Sequence, residues 1–311
     1  MREPKHNMVQ YSMWANCCNN CDFCLKQEKD FYSVSRQMFA IDGVIKNIDF
    51  VDWDKFSYGV SLLGGELYYI KNKELQDHFI DLIDKIIFKA IESGSKHFMY
   101  STVTNGMYDP EFLFRVLDRF NNTIGMSHVD LNFSYDLKYR YKTEETRQKT
   151  LNTMRLLSER YPTYRYGVQM ILTQNVINLW KEGKFDIEEY SKEHFPNGIL
   201  TFLYPHPIKT GKKLDDFFFK RDDFLEFMAY LRNNYFVHYT HFINSVKNSA
   251  LFKYTGLYKN HHRKDSDLTQ IPVLSDGKEI LRECGHSELY RCYSDCDECM
   301  LCDLLLIEGS F

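Results

Sequence analysis

No cysteine occurs between Leu25 and Glu283, although the chain of 311 residues carries nine. Four lie between residues 17 and 24 and five between residues 284 and 302. A disulfide framework spreads through a small secreted domain, and an odd count confined to the two ends of a long chain does not fit one. Two metal-binding clusters fit better. An excess of basic charge is also lacking. The 39 lysines and arginines face 43 aspartates and glutamates, a formal charge of −4. No broad cationic surface, and so no strong nucleic-acid signal, follows from that balance. The N-terminal "MREPKHNMVQYSMW" lacks the continuous apolar segment of a signal peptide. No apolar run approaches the ~18 residues of a membrane span. These absences lead to the expectation of a soluble, cytoplasmic protein with no membrane partner.

A hydrophobic content of 44% with 16% aromatics is ample for a buried core. Strand-like and helix-like patterns alternate along it. Val9 to Trp14 reads as a strand, and helix-spaced apolar residues follow at Met38, Ile41, Val44, Ile45 and Ile48. "YGVSLL" is a strand ending at Gly64-Gly65-Glu66, and a helix from Leu75 stops at Gly94. "KHFMYSTV" leads into Thr104-Asn105-Gly106, and Asp109-Pro110 opens the next helix. "HVDLNFSYD" precedes a helix over 144–161 that Pro162 ends, and "YRYGVQMILT" precedes a short helix near 187–194. "GILTFLYP" and the helical "RDDFLEFMAYLRNN" complete six β–α units. Such alternation predicts an α/β fold with a parallel sheet, doubly wound or curled as a barrel, with sites at the carboxyl ends of the strands. From about residue 245 the pattern turns polar and irregular and ends in a cysteine-rich tail, so the expected division is 1–244 and 245–311. A tail this small needs a metal or a cluster to hold it, or it packs on the body.

Cys17, Cys21 and Cys24 form C-x3-C-x2-C, with Phe23 just before the last cysteine. Three thiolates on one loop can take three irons of a 4Fe–4S cube and leave the fourth open to a ligand. A second frame, Cys18, Cys21 and Cys24, suits zinc, and spacing alone leaves both open. The stretch resembles the radical S-adenosylmethionine (SAM) enzymes, whose signature is CxxxCxxC with an aromatic before the third cysteine. Gly64, Gly65 and Glu66 match the segment with which family members bind the methionyl ammonium of SAM. There the glycines admit close backbone approach and Glu66 would accept hydrogen bonds. Asn105, in "TNG", matches the usual pattern after the third strand. Ser134 and Asp136, in "SYD", fall where the family places polar groups near the SAM ribose and carboxylate, which Arg140 and Arg147 could meet. Phe23 would pack near the adenine.

The resemblance covers about residues 9 to 240 and implies a partial (β/α)6 TIM-like barrel with a small C-terminal cysteine-rich cluster-binding extension. It also implies a 4Fe–4S cluster and SAM as cofactors. In that mechanism one electron, from a reductant such as a flavodoxin or ferredoxin, cleaves SAM to methionine and a 5′-deoxyadenosyl radical. The radical takes hydrogen from the substrate, and the site excludes water and oxygen.

The tail carries Cys284, Cys292, Cys296, Cys299 and Cys302, more thiolates than the four that one cube or one zinc needs. "SDGKEILREC" resembles the opening of SPASM and twitch extensions. A full SPASM extension uses about seven cysteines for two clusters, so a single twitch-like 4Fe–4S cluster is expected, with structural zinc and His286 as the alternative. Such enzymes often modify peptides or proteins. Only sixteen residues precede Cys17, so no N-terminal leader-recognition domain is expected, which weakens the peptide case without removing it, since a separate partner could deliver the substrate. "FLYPHP" at 202–207 is a candidate pocket lining. The expected substrate is a peptide or protein side chain. The alternatives are a nucleotide or other small metabolite, or a non-catalytic metal-binding interaction protein.

Overall fold

Short runs rich in β-branched and aromatic residues become strands. They are β1 (Met8–Ser12), β2 (Gly59–Leu63), β3 (Met99–Thr104), β4 (Val129–Tyr135), β5 (Tyr166–Ile171), β6 (Gly198–Leu203) and β7 (Gln270–Leu274). The helices are α1 (Val34–Phe50), α2 (Lys73–Glu92), α3 (Glu111–Thr123), α4 (Glu144–Arg160), α5 (Gln174–Lys181), α6 (Ile187–His194), α7 (Arg221–Asn234) and α8 (Phe236–Asn248). The computed structural model describes residues 8–19, 21, 23–24, 31–50, 59–94, 98–203, 216–217, 219–248 and 270–274. All five tail cysteines, His286, and residues 204–207 of the candidate pocket lining lie outside the described residues.

Every strand pair is parallel, in the order β6-β5-β4-β3-β2-β1-β7. From β1 to β6 the spatial order follows the chain without reversal. Right-handed crossovers then all step the same way and lay their helices on one face. A doubly wound sheet needs a reversal within that run to cover both faces. The topology therefore fits a partial barrel. β7 lies beside β1, on the edge that a closing barrel would reach, and among the described residues no ladder joins it to β6.

Burial alternates accordingly. On β4, Val129, Leu131, Phe133 and Tyr135 are buried, whereas Asp130 is exposed and Asn132 and Ser134 are half-buried. The covered side is aromatic: Tyr100 stacks on Phe120 of α3 at 4.8 Å, and Phe202 meets Phe227 of α7 edge-on at 5.9 Å. The other side carries Ser101, Asp130, Asn132, Gln169 and Thr201, which are half-buried or exposed. The helices end where their sequence says they should. The Asn72 side chain caps α2 by accepting from Leu75 N, and a Thr143–Thr146 capping box opens α4. Asp109 accepts from Glu111 N at 3.1 Å, so α3 starts one residue later than Pro110.

Gly94, just past α2, has φ +60° and open space where a Cβ would stand. Gly94→Ala is therefore expected to cost about 1 kcal/mol of stability, from backbone strain alone. Urea unfolding measures it, and the site below should be unaffected.

Three elements escape the sequence patterns. α5, eight residues long, follows β5 after a link of only two residues. α8 runs to Asn248, past the point where irregular chain is expected to begin. β7 contains Pro272, which has no N–H to donate and is tolerated because β7 is an edge strand. No helix among the described residues is long and apolar enough to cross a membrane.

Candidate active site at the carboxyl ends of the strands

The cysteine loop leaves β1 and is stitched at once to the end of β2. Met13 N donates to Leu63 O at 2.8 Å, Gly65 N to Trp14 O at 2.7 Å, and Glu66 N to Asn16 O at 2.7 Å. This contact requires glycine. A Cβ on Gly65 would stand 2.3 Å from the carbonyl oxygens of both Ala15 and Asn16, and one on Gly64 would stand 2.8 Å from Trp14 O. Both glycines are thus accounted for by the cysteine loop itself.

Glu66 is 1% exposed. Its carboxylate accepts from Asn105 N at 2.6 Å, Thr104 Oγ1 at 3.0 Å and Tyr68 N at 3.3 Å. Burial pushes its pKa up to about 8, against these hydrogen bonds, which favour the charged form. Three protein donors occupy most of the four or so lone-pair positions of the carboxylate. Its structural work is to brace the "TNG" turn after β3 against the "GGE" turn after β2.

That turn in turn reaches the cysteines. Asn105 Nδ2 lies 3.5 Å from the sulfurs of both Cys17 and Cys18. Gly106 takes φ +65° to turn the chain, and Thr150 and Thr153 of α4 donate to the carbonyls of Asn105 and Gly106 at 2.8 and 2.9 Å. After β4, Asp136 is buried and caps the following turn. Its Oδ1 accepts from Lys138 N at 2.8 Å, from Tyr139 N, and from Arg140 N at 3.2 Å. Burial raises the Asp136 pKa against those bonds. The turn delivers Arg140, whose Nη1 lies 3.8 Å from Cys21 Sγ and whose guanidinium sits 5.2 Å over the ring of Phe23. Phe23 also stacks on Phe217 at 5.8 Å. Ser134 is half-buried on the polar face of the sheet. Arg147 is not brought to the loop: on α4 it pairs with Glu144 at 2.8 Å and lies near the phenols of Tyr135 and Tyr190.

Asn19 was not singled out by the motifs, yet it ties the site together. Its Nδ2 donates to Cys21 Sγ at 3.1 Å and to Arg140 O at 2.8 Å, and its backbone N to Cys17 Sγ at 3.4 Å. Asn16 clamps residue 32 in both directions, donating to Tyr32 O at 2.9 Å and accepting from Tyr32 N at 2.7 Å. Asparagines at three of the positions flanking the cysteines, 16, 19 and 20, were the available signal, since such side chains bond readily to nearby backbone.

No disulfide joins Cys17, Cys18, Cys21 or Cys24 among the described residues. The Cys17 thiol is held below its usual range, chiefly by a hydrogen bond from Cys18, while Cys18 is pushed up by giving that bond, by burial and by the charge of Glu66. Burial pushes Cys21 up to about 11 against Arg140. Among the described residues no three of His, Cys, Asp and Glu converge on a single ion. A cube asks for something else, one thiolate for each of three irons, spread around it. The donor set fits that group: three thiols on one loop, N–H groups directed at two of their sulfurs, and a buried Arg140 Nε without a partner.

No protein-family model matches the chain, and no curated protein matches it. Among solved structures the chain is similar to Streptococcus suis SuiB, at 11% identity and a TM-score of 0.47, over 94% of this chain and 65% of that one. The chain thus spans about 65% of the length of that structure. A likeness at that level carries no argument, and the fold stands on its own strand order.

Proposed function

We propose that this chain is a radical SAM enzyme, its core a partial (β/α)6 barrel. The observation that supports this most is convergence. Segments 17–24, 64–66, 104–106 and 136–140, which match the family in order along the sequence, are joined by direct hydrogen bonds at one end of one parallel sheet. Cys17, Cys21 and Cys24 would hold three irons of a 4Fe–4S cluster. The chemistry supplied by such a cluster with SAM is one-electron cleavage of a sulfonium C–S bond, giving methionine and a 5′-deoxyadenosyl radical that takes hydrogen from substrate. The chain's own part is placement and exclusion. Glu66 locks the turns after β2 and β3 together, Asp136 fixes Arg140, and Phe23 of the cysteine loop is held by its stack on Phe217. In this reading the substrate lies against the polar face of the sheet that includes the half-buried Ser134.

The substrate in this reading is a peptide or protein side chain, on the resemblance of "SDGKEILREC" to twitch extensions, with the tail cysteines holding one auxiliary 4Fe–4S cluster. A flavodoxin or ferredoxin would supply the electron. Anaerobic reconstitution with iron and sulfide tests the cluster assignments. Wild type should gain about eight irons per chain and the Cys17/Cys21/Cys24→Ala variant about four. A wild-type protein that binds zinc and takes up no iron contradicts the enzyme reading. Zinc in the triple variant alone contradicts the auxiliary cluster.

A further inference from the structure

Two of the three expected cluster ligands are approached by N–H groups from three separate segments. Asn19 lies within the loop, Asn105 follows β3 and Arg140 follows β4. Together they reach Cys17 Sγ at 3.4 and 3.5 Å and Cys21 Sγ at 3.1 and 3.8 Å. Arg140 is the only one that brings charge. Its backbone is pinned at both ends, N to Asp136 and O to Asn19, and its guanidinium rests on the Phe23 ring. Several other arginines meet carboxylates, as Arg160 meets Asp118 at 2.6 Å and Arg119 meets Asp84 at 2.7 Å. Arg140 instead faces a sulfur and a ring, with its Nε buried and unpartnered among the described residues.

A guanidinium stays protonated at any working pH. Its field is strong where water is scarce. Hydrogen bonds to the sulfurs and the net local charge are among the factors that set an iron–sulfur potential. We propose that Arg140, assisted by Asn19 and Asn105, raises the reduction potential of the cluster held by Cys17, Cys21 and Cys24, and so eases entry of the electron. This role rests on the radical SAM reading. It differs from an Arg140 that only binds the SAM carboxylate, which would leave the SAM-free potential untouched.

The test is a redox titration, followed by electron paramagnetic resonance, of the full chain reconstituted anaerobically and without SAM. At the solution poise that half-reduces the wild-type cluster, Arg140→Gln should lower the reduced-to-oxidised ratio about tenfold, a shift of about 59 mV for one electron. Arg140→Lys, which keeps the charge, should stay near wild type. A tail cluster, where present, is an internal reference that both variants leave in place. An Arg140→Gln potential equal to wild type, or an Arg140→Lys potential as low as that of Arg140→Gln, overturns the proposal. Should Arg140→Gln assemble no cluster, Asn19→Ala decides. It removes the side-chain donor to Cys21 and should lower the potential by a smaller step, and no change there overturns the proposal equally. A wild-type chain that assembles no cluster defeats the radical SAM reading itself, a separate outcome.

Discussion

Cys17→Ala is expected to strip the first site of about four irons and take SAM cleavage below detection, while Cys18→Ala keeps both. The two residues are adjacent and both half-buried, so burial does not separate them. Their surroundings do. The Cys17 sulfur accepts from Cys18 and from Asn19 N and lies in the field of Arg140, all of which favour a thiolate, while Asn105 Nδ2 stands 3.5 Å from both sulfurs and does not separate them. The Cys18 sulfur is placed to donate to Asn105 Oδ1 at 3.5 Å and lies toward Glu66, which favours a thiol. Iron binds the thiolate, so this asymmetry supports the Cys17, Cys21, Cys24 frame. Cys18→Ala removes two long contacts to Asn105, which Glu66 and Thr150 still hold, at a cost of about 1 kcal/mol. Iron analysis of the two variants side by side measures the contrast. The reverse pattern would move the site to the Cys18 frame.

Gly65→Ala is expected to lower SAM cleavage about 10²-fold, because the atoms in its way are backbone. The new methyl would fall 2.3 Å from two carbonyl oxygens and 2.6 Å from Ala15 C, and none of these can swing aside as a side chain would. Relief requires the β1 and β2 ends to part, which stretches Gly65 N→Trp14 O and Glu66 N→Asn16 O, both 2.7 Å. Overpacking of this kind costs about 1–3 kcal/mol, and each weakened buried hydrogen bond about 1 more. Asn16 directly precedes Cys17, so the displacement is delivered to a ligand. The comparison is Gly94→Ala, whose expected loss is stability alone. Rates of 5′-deoxyadenosine formation and urea midpoints for the two alanine variants separate a local clash at the site from general destabilisation. Wild-type turnover in Gly65→Ala would show that the two turns need not touch.

Periodicity made most of the body readable, since each helix from α1 to α4 carries one apolar stripe and each strand an alternating or continuous apolar run. The choice between a doubly wound sheet and a barrel was not readable, because it depends on which strands pair. β7 lay hidden behind a proline and a distance of more than sixty residues from β6. At the site, the family resemblance marked Cys17, Cys21, Cys24, Glu66, Asn105 and Asp136, and the structure brings all of these to one end of the sheet. Their partners were not legible. Glu66 reaches Asn105 across 39 positions and Asn19 reaches Arg140 across 121, and no local pattern encodes such pairings. The same limit explains Arg140 and Arg147, seven residues apart and alike on paper. The Asp136-capped turn aims one at Cys21, while α4 turns the other toward Glu144.

The central claim is that the loop at the end of β1 holds a cluster that cleaves SAM. Its most direct test is one assay: the anaerobically reconstituted chain incubated with SAM and dithionite, with 5′-deoxyadenosine quantified against the Cys17→Ala variant. Formation of 5′-deoxyadenosine by wild type and none by the variant is the predicted result. No 5′-deoxyadenosine from a wild-type protein that has taken up iron and sulfide would contradict the account.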